Sequence, residues 1–379
     1  MKDNAFATIE IGDFSSKLII ASAYNGKLNI CGSFICETQG VINGEIVSKS
    51  EASRTISTLL EQAEQFGYTV DETVLILPST GLNVYRKKAS NQVNGANRVV
   101  TERDIELLKR ACSKHQITEG EIVVGIYPIQ YLLDNENLKK EEPIGYRGTV
   151  VTLDAFILTL PSSIARGFID LLQEMGIQIL DAIVTPLANA QLLLRQDEYK
   201  SGALILDMGG NHLSVSLFFD NLLCGYKQAK TGGNYITNQL STAFSLDKKN
   251  AEFVKVTYGG ALLNKASNVG VYKSPNGNTV LKEIEIVSCI ENSLNALGVE
   301  INKIIDFITQ DKVAPLIITG GGSNMENIAE KISQMTKFKV IYRAKSTVGA
   351  RDSAFNACLG GLIYFLINKG QLNPNYQIL

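Results

Sequence analysis

Leu204–Asn211 reads Leu-Ile-Leu-Asp-Met-Gly-Gly-Asn. Three apolar residues run into one carboxylate, Asp207, and the carboxylate runs into glycines. The pattern predicts a buried strand ending near Leu206 with Asp207 presented at its tip. Gly209 and Gly210 let the backbone turn sharply with amide N–H groups pointing outward, a geometry that receives phosphate oxygens. Asp207 can hold a metal ion or its waters. A single strand running into Asp-x-Gly-Gly is also what an ordinary hairpin looks like, so a second copy is needed.

That copy lies at the start of the chain. Thr8–Gly12 reads Thr-Ile-Glu-Ile-Gly, followed by Asp13-Phe14-Ser15-Ser16 and a returning apolar strand, Lys17–Ala21. A third glycine turn, Gly320-Gly321-Gly322-Ser323, follows Leu316–Thr319. Strand-to-glycine turns near 12, 209 and 321 predict two similar halves, each opening with a phosphate-facing hairpin, plus a nucleotide loop.

The bulk properties bound the answer. A chain of 379 residues predicts two or more domains, and 45% hydrophobic content supplies a core. With 36 basic against 38 acidic residues, the charge balance argues against a general nucleic-acid binder. Cys31, Cys36, Cys112, Cys224, Cys289 and Cys358 form no Cys-x-x-Cys and read as reduced thiols of a cytosolic protein. His115 and His212 are the only histidines, which excludes a multi-histidine metal site. No signal segment or run of about 20 apolar residues is seen. The longest apolar run, Ala354–Ile367, carries Gly360-Gly361 and reads as a buried core helix.

Along the chain, strands are predicted at Phe6–Ile11, Leu18–Tyr24 and Leu28–Phe34, an amphipathic helix at Ser48–Gln65, and a buried strand at Thr73–Pro78. From about Leu82 the texture changes. A short strand (Val84–Lys88) leads to a helix capped at Thr101-Glu102-Arg103-Asp104, then strands at Glu121–Leu133 and Gly148–Thr159 separated by a charged loop. This unit looks inserted into the first half. Helix Pro161–Gly176, strand Ile177–Val184 and helix Pro186–Arg195 close that half. The second half repeats the three-strand opening (Ala203–Leu206, Leu213–Phe219, Leu222–Gln228). Helices from Gly232, Lys248–Tyr258, Glu283–Asn302, Lys303–Gln310, Met325–Thr336 and Ser353–Asn368 follow, with strands Leu316–Thr319 and Val340–Tyr342 among them.

This arrangement resembles the actin-like ATPases, and within them the bacterial cell-division family FtsA. The paired hairpins match Glu10–Lys17 and Asp207–Ser214, and Thr319–Ser323 matches the adenosine loop. The FtsA likeness rests on Thr38-Gln-Gly40-Val-Ile-Asn-Gly44-Glu-Ile46 and on the order of the insert. There Val100–Ile105 leads to Tyr127-Pro128-Ile-Gln130-Tyr131, then Pro143-Ile-Gly145-Tyr-Arg-Gly148. Ala251-Glu252-x-x-Lys255-Val256-x-x-Gly259 also looks like FtsA.

The resemblance implies an α/β, actin-like two-lobed fold with duplicated ribonuclease H-like halves. An inserted strand-helix-strand-strand subdomain replaces an actin subdomain. Its expected divisions are 1–83, 163–189 and 346–379 for the first inner subdomain and 84–162 for the insert. The second inner subdomain takes 190–243 and 312–345, and its outer subdomain takes 244–311.

The resemblance also implies ATP and Mg²⁺ in the cleft. Glu10 and Asp207 would hold the metal mostly through waters, since Mg²⁺ gives up water reluctantly. Gly12, Asp13, Phe14, Ser15 and Ser16, facing Gly209, Gly210 and Asn211, would cradle phosphates, with Lys17 within reach. Gly232 and Gly233 open a helix whose amides favour anions. Glu252 and Lys255 would flank ribose and adenine, and Gly320, Gly321, Gly322 and Ser323 would leave room for the base. Gln191 falls on the helix that crosses between halves, roughly where actin keeps a water-orienting glutamine.

Three positions depart from the family pattern. Asp13 stands where a small hydroxyl residue is usual. A carboxylate about 4 Å from a phosphate costs roughly 4 kcal/mol per unit charge at an effective dielectric of about 20. Asp13 is therefore expected to turn away, pair with Lys17 or join the metal shell. Asn211 replaces a third glycine, and His212 a threonine of many relatives. ATP binding with at most slow hydrolysis is the expectation.

By the same resemblance, the chain would bind the C-terminal tail of the tubulin-like FtsZ through 244–311. It would also self-associate into filaments and work in the cytoplasm at the division site. Gln371–Leu379 has no charged side chain and does not read as an interfacial helix, so membrane contact is expected to be indirect or absent. The alternatives are a pilus-assembly relative of FtsA, a small-molecule kinase on the same fold, and a nucleotide-independent scaffold. Phosphoryl transfer would mark the kinase, and failure to bind nucleotide the scaffold.

Overall fold

The computed structural model describes residues 5–94, 97–114, 118–135, 137–139, 141–273, 280–309, 314–336, 338–343, 349–374 and 376–378. His115 and Gln310 lie outside the described residues.

The chain opens as an antiparallel meander, β1 (Ala5–Ile11), β2 (Ser15–Tyr24) and β3 (Lys27–Glu37). A small hairpin, β4 (Val41–Ile42) and β5 (Glu45–Ile46), leads into helix α1 (Lys49–Gln65). Ala52, Ile56, Leu59 and Ala63 form the buried face of α1, at helical spacing. Strand β6 (Glu72–Leu77) then pairs parallel to β1. Near-continuous burial of Leu18–Ala21 and Val74–Leu77 is what a central strand covered on both faces requires.

The insert is β7 (Asn83–Gln92), α2 (Glu102–Lys114), β8 (Glu121–Leu133), β9 (Asn137–Lys139) and β10 (Val150–Pro161). Its sheet runs β7-β10-β8-β9, and α2 closes a separate core of Ile105, Leu108, Cys112, Tyr131, Val151 and Leu153. Thr101 and Asp104 form a reciprocal cap: the Thr101 amide donates to Asp104 Oδ2 at 2.9 Å and the Asp104 amide to Thr101 Oγ1 at 3.4 Å. The segment read as a charged loop contains β9, which folds back on β8 after Asp134 and Asn135, both at positive φ.

The first lobe continues with α3 (Ser162–Glu174), β11 (Gln178–Val184), α4 (Thr185–Leu193) and α5 (Gln196–Ser201). The second lobe opens with β12 (Ala203–Met208), β13 (Leu213–Phe219) and β14 (Leu222–Ala229), then α6 (Gly233–Phe244) and α7 (Lys248–Tyr258). A hairpin, β15 (Gly270–Lys273) and β16 (Val280–Lys282), precedes α8 (Glu283–Ile308). The remaining elements are β17 (Leu316–Thr319), α9 (Ile328–Thr336), β18 (Val340–Tyr342), α10 (Asn356–Asn368) and β19 (Gln377–Ile378).

The duplication is explicit in strand order. The first sheet runs β11-β6-β1-β2-β3, with β19 added outside β3, and the second runs β18-β17-β12-β13-β14. Each is an antiparallel meander extended by two parallel strands. Where two helices were expected over 283–310, α8 is continuous. The Asn302 amide group donates to the Gly298 and Met335 carbonyls, so the polar residue is satisfied without a break. Helix α9 starts at Ile328, later than expected, because Met325 is extended, Glu326 bridges to Gly260 and Asn327 has positive φ.

Helix α10 is the buried helix expected at Ala354–Ile367. A Cβ at Gly360 would collide with the Ala188 carbonyl, and one at Gly361 with the Ile76 side chain. The two glycines are what let α10 lie against α4 and β6. Among the described residues, no helix is long and apolar enough to cross a membrane.

Candidate functional site

The two meanders bring their first turns together. Glu10 stands opposite Lys17 in the β1–β2 register, and Asp207 opposite Ser214 in β12–β13. Lys17 Nζ lies 3.4 Å from Glu10 Oε2, with both side chains largely buried. Burial, the largest single influence, would lower the Lys17 pKa, but the charge and hydrogen bond of Glu10 together with Cys358 and Asp207 outweigh it, and the ammonium is held above its ordinary value. Burial, reinforced by the Glu10 charge, raises the Asp207 carboxyl from 3.8 to about 6, against the opposing influence of Lys17 and Asn189. The carboxylates are thus electrostatically coupled to each other, and Lys17 is coupled to both.

Asn189, on α4, donates through Nδ2 to Asp207 Oδ2 at 3.1 Å, while its buried Oδ1 has no partner among the described residues. The helix lies where the sequence predicts one, but Asn189, not Gln191, is the residue joined to Asp207. Two residues along a helix is a rotation of about 200°, so a helix that aims Asn189 at Asp207 turns Gln191 elsewhere. Among the described residues, no contact joins Gln191 to the carboxylates. A polar residue inside the apolar run Pro-Leu-Ala-Asn-Ala was the available signal.

At the hairpin tips the expected conflict at Asp13 is resolved. Its carboxylate accepts from the Gly44 amide at 2.6 Å, and His212 Nδ1 lies 3.2 Å and Asn211 Nδ2 3.5 Å from Oδ2. Burial would raise this carboxyl, but the bonds from His212, Gly44 and Asn211 hold it below the usual carboxylate range. Asp13 therefore turns away from Lys17 and pairs across the cleft. Phe14 follows it: a Cβ on Gly210 would meet Phe14 Cβ at 2.9 Å. Asn211 is held in turn by Asn234 Nδ2, at 2.7 Å from its Oδ1. Among the described residues, the backbone amides of Gly12, Asp13, Phe14, Gly210, Asn211 and His212 have no protein acceptor. Ser15 and Ser16 belong to β2, with the Ser16 hydroxyl 2.7 Å from that of Thr38.

Other candidates have structural partners. The Gly233 and Asn234 amides at the start of α6 donate to the Gly209 and Gly210 carbonyls at 2.9 and 2.8 Å. That end of α6 therefore braces the second hairpin, and those two amides are not open to an anion. Gly232 is needed because a Cβ there would lie 2.5 Å from the Gly209 oxygen. Lys255 Nζ donates to Glu252 Oε2, Thr237 Oγ1 and the Gly233 carbonyl at 2.6, 2.9 and 3.2 Å. Burial lowers the Lys255 pKa, with Glu252 opposing. Gly320 has φ 83°, and a Cβ there would collide with Asp207 Oδ1. Gly322 packs against Met208, the Ser323 hydroxyl donates to the Gly320 carbonyl at 2.8 Å, and Gly321 faces open space. The triple glycine thus wraps the tip of β12.

Among the described residues, no three His, Cys, Asp or Glu side chains gather into a self-sufficient metal site. Two carboxylates and one orphaned amide oxygen do suit Mg²⁺, which keeps several waters and takes one or two carboxylates plus phosphate.

This architecture defines an actin-like two-lobed protein. The fold is similar to the "PilM-PilN type IV pilus biogenesis complex" structure (TM-score 0.70, 16% identity, 95% of this chain and 98% of that one). It is also similar to MreB 5 of Spiroplasma citri bound to AMPPNP (TM-score 0.57, 13% identity, 98% of each chain).

Within that class the chain is similar in sequence to cell division protein FtsA. The model of that family matches residues 204–360. FtsA of Streptococcus pneumoniae is 26% identical over 93% of this chain and 78% of its own length. FtsA of Bacillus subtilis is 20% identical over 97% of this chain and 84% of its own length.

Proposed function

We propose that the chain is an FtsA-like cytoskeletal protein that binds an adenine nucleotide with Mg²⁺ between its lobes. The observation that supports this most is the meeting of two duplicated hairpins, with Glu10 and Asp207 beneath tips where the amides of Gly12, Asp13, Phe14, Gly210, Asn211 and His212 have no protein acceptor among the described residues. The resemblance implies ATP, and a relative in fold, MreB5 of Spiroplasma citri, has been solved with both AMPPNP and ADP. Glu10 and Asp207 would hold the metal through waters, and Asn189 Oδ1 would accept from one of them. Mg²⁺ would supply neutralising charge to the phosphates. The nucleotide acts as a conformational ligand that biases closure of the lobes. Turnover is slow or absent.

On this reading the protein assembles into filaments and binds the FtsZ C-terminal tail through 244–311. The alternative, a pilus-assembly role, is favoured by the fold likeness to the PilM-PilN structure. Fluorescence anisotropy with an FtsZ-tail peptide separates them, run beside sedimentation and electron microscopy of the protein with Mg-nucleotide. Tail binding weakened by Val256→Asp, at an exposed position of α7, together with filaments, is the expected result. Neither tail binding nor filaments would move the reading to the alternative.

A further inference from the structure

The hairpin tips already enclose an anion, and it belongs to the chain itself. The Asp13 side chain is only 8% exposed. Its donors are of the kind a phosphate oxygen takes: a backbone amide, an imidazole and a side-chain amide. They come from both lobes. Gly44 lies in the β4–β5 turn of the first, and Asn211 and His212 lie at the second hairpin tip. The site is preorganised, since Asn234 fixes Asn211 and Phe14 packs on Gly210 beside it. The amides of residues 12–14 and 210–212, on the same two tips, have no protein acceptor among the described residues.

We propose that Asp13 takes the place of the terminal phosphate between the hairpin tips, so that the cleft selects a nucleoside diphosphate over the triphosphate. The proposal rests on the reading of the cleft as a nucleotide site, and names which form it takes. Two phosphates use the open amides. A third phosphate meets a fixed negative charge that already holds the Gly44, His212 and Asn211 donors. Moving Asp13 aside would strip all three donors from a largely buried carboxylate and lift Phe14 from Gly210. The low pKa of Asp13 agrees, because the carboxylate stays ionised at neutral pH.

The test is equilibrium binding of Mg-ADP and Mg-ATP to the full chain, followed by displacement of a fluorescent ADP analogue. Wild type is compared with Asp13→Asn, which keeps the shape without the charge, and with Asp13→Ser. Wild type is expected to bind ADP at least about tenfold more tightly than ATP, and both variants to bring the two within about threefold. Equal wild-type affinities would overturn the proposal while leaving the nucleotide reading intact, as would variants that keep a wild-type preference. A wild type that binds neither nucleotide beside variants that bind both would also overturn it, because the carboxylate would then close the cleft altogether. If neither wild type nor variants bind either nucleotide, the nucleotide reading falls and the proposal with it.

Discussion

Replacing Asp207 with asparagine should stabilise the ligand-free protein at neutral pH. The carboxyl is raised from 3.8 to about 6 by burial and by the facing Glu10. Keeping it ionised at pH 7 therefore costs folding stability, and a rise of that size corresponds to about 3 kcal/mol. Asp207 is partly exposed at the cleft, so solvent screening reduces the expected gain from Asp207→Asn to about 1–2 kcal/mol.

The sign follows from proton counts. Between about pH 4 and pH 6 the folded chain binds more protons at this site than the unfolded chain. Wild-type stability thus gains from this site as pH falls through that window, and the asparagine variant cannot follow. The variant's advantage is full above about pH 6, shrinks below it and is gone below about pH 4. Urea unfolding of both proteins at pH 7.5, 5 and 4, without nucleotide or metal, measures the difference. A variant no more stable than wild type at pH 7.5, or an advantage that persists at pH 4, would refute the argument. Such a result would mean that Asp207 is not a strained carboxylate held for a cation.

Asn189→Ala should push the Asp207 pKa higher still and weaken Mg-nucleotide binding by about 1–2 kcal/mol, because a donor to the carboxylate and an orphaned acceptor leave together. NMR titration of the Asp207 carboxyl carbon reads the first effect and calorimetry the second; an unchanged titration curve would show that the contact is not formed. Gly360→Ala should cost about 2–3 kcal/mol, since a Cβ there has no room against the Ala188 carbonyl and α10 must move off α4. Urea unfolding tests this, and a loss below about 0.5 kcal/mol would mean that the helices are not in that close contact. Deleting residues 84–162 should leave a folded core that binds nucleotide but assembles poorly, because the insert carries a core of its own. Normal filaments from the deletion protein would remove the insert from the contact.

The placement of the short motifs was legible in the sequence. A strand, an acid and a glycine turn are neighbours in the chain, so Glu10, Asp207 and the triple glycine could be read directly. Their repetition gave the two halves before any tertiary contact was known. What could not be read depends on which groups meet across the fold. Asp13 and Asn211 are 198 residues apart, and no local pattern says that a carboxylate at one tip will be taken by side chains at the other. Asn189 required the rotational phase of α4 against β12, which helical spacing alone leaves open. The amides of α6 looked available because a helix N-terminus usually is; here the Gly209 and Gly210 carbonyls use two of them. Strand β9 is specified by its turn and by pairing with β8, not by apolar alternation of its own.

The most direct test of the central claim is equilibrium binding of Mg-adenine nucleotide to the purified protein, with Asp207→Ala measured beside it and folding of both checked by circular dichroism. Binding by the wild type, weakened at least about tenfold in the folded variant and dependent on Mg²⁺, is the predicted result. A folded wild type that binds neither ADP nor ATP, or a variant that binds as tightly as wild type, would contradict the assignment of the cleft as a metal-nucleotide site.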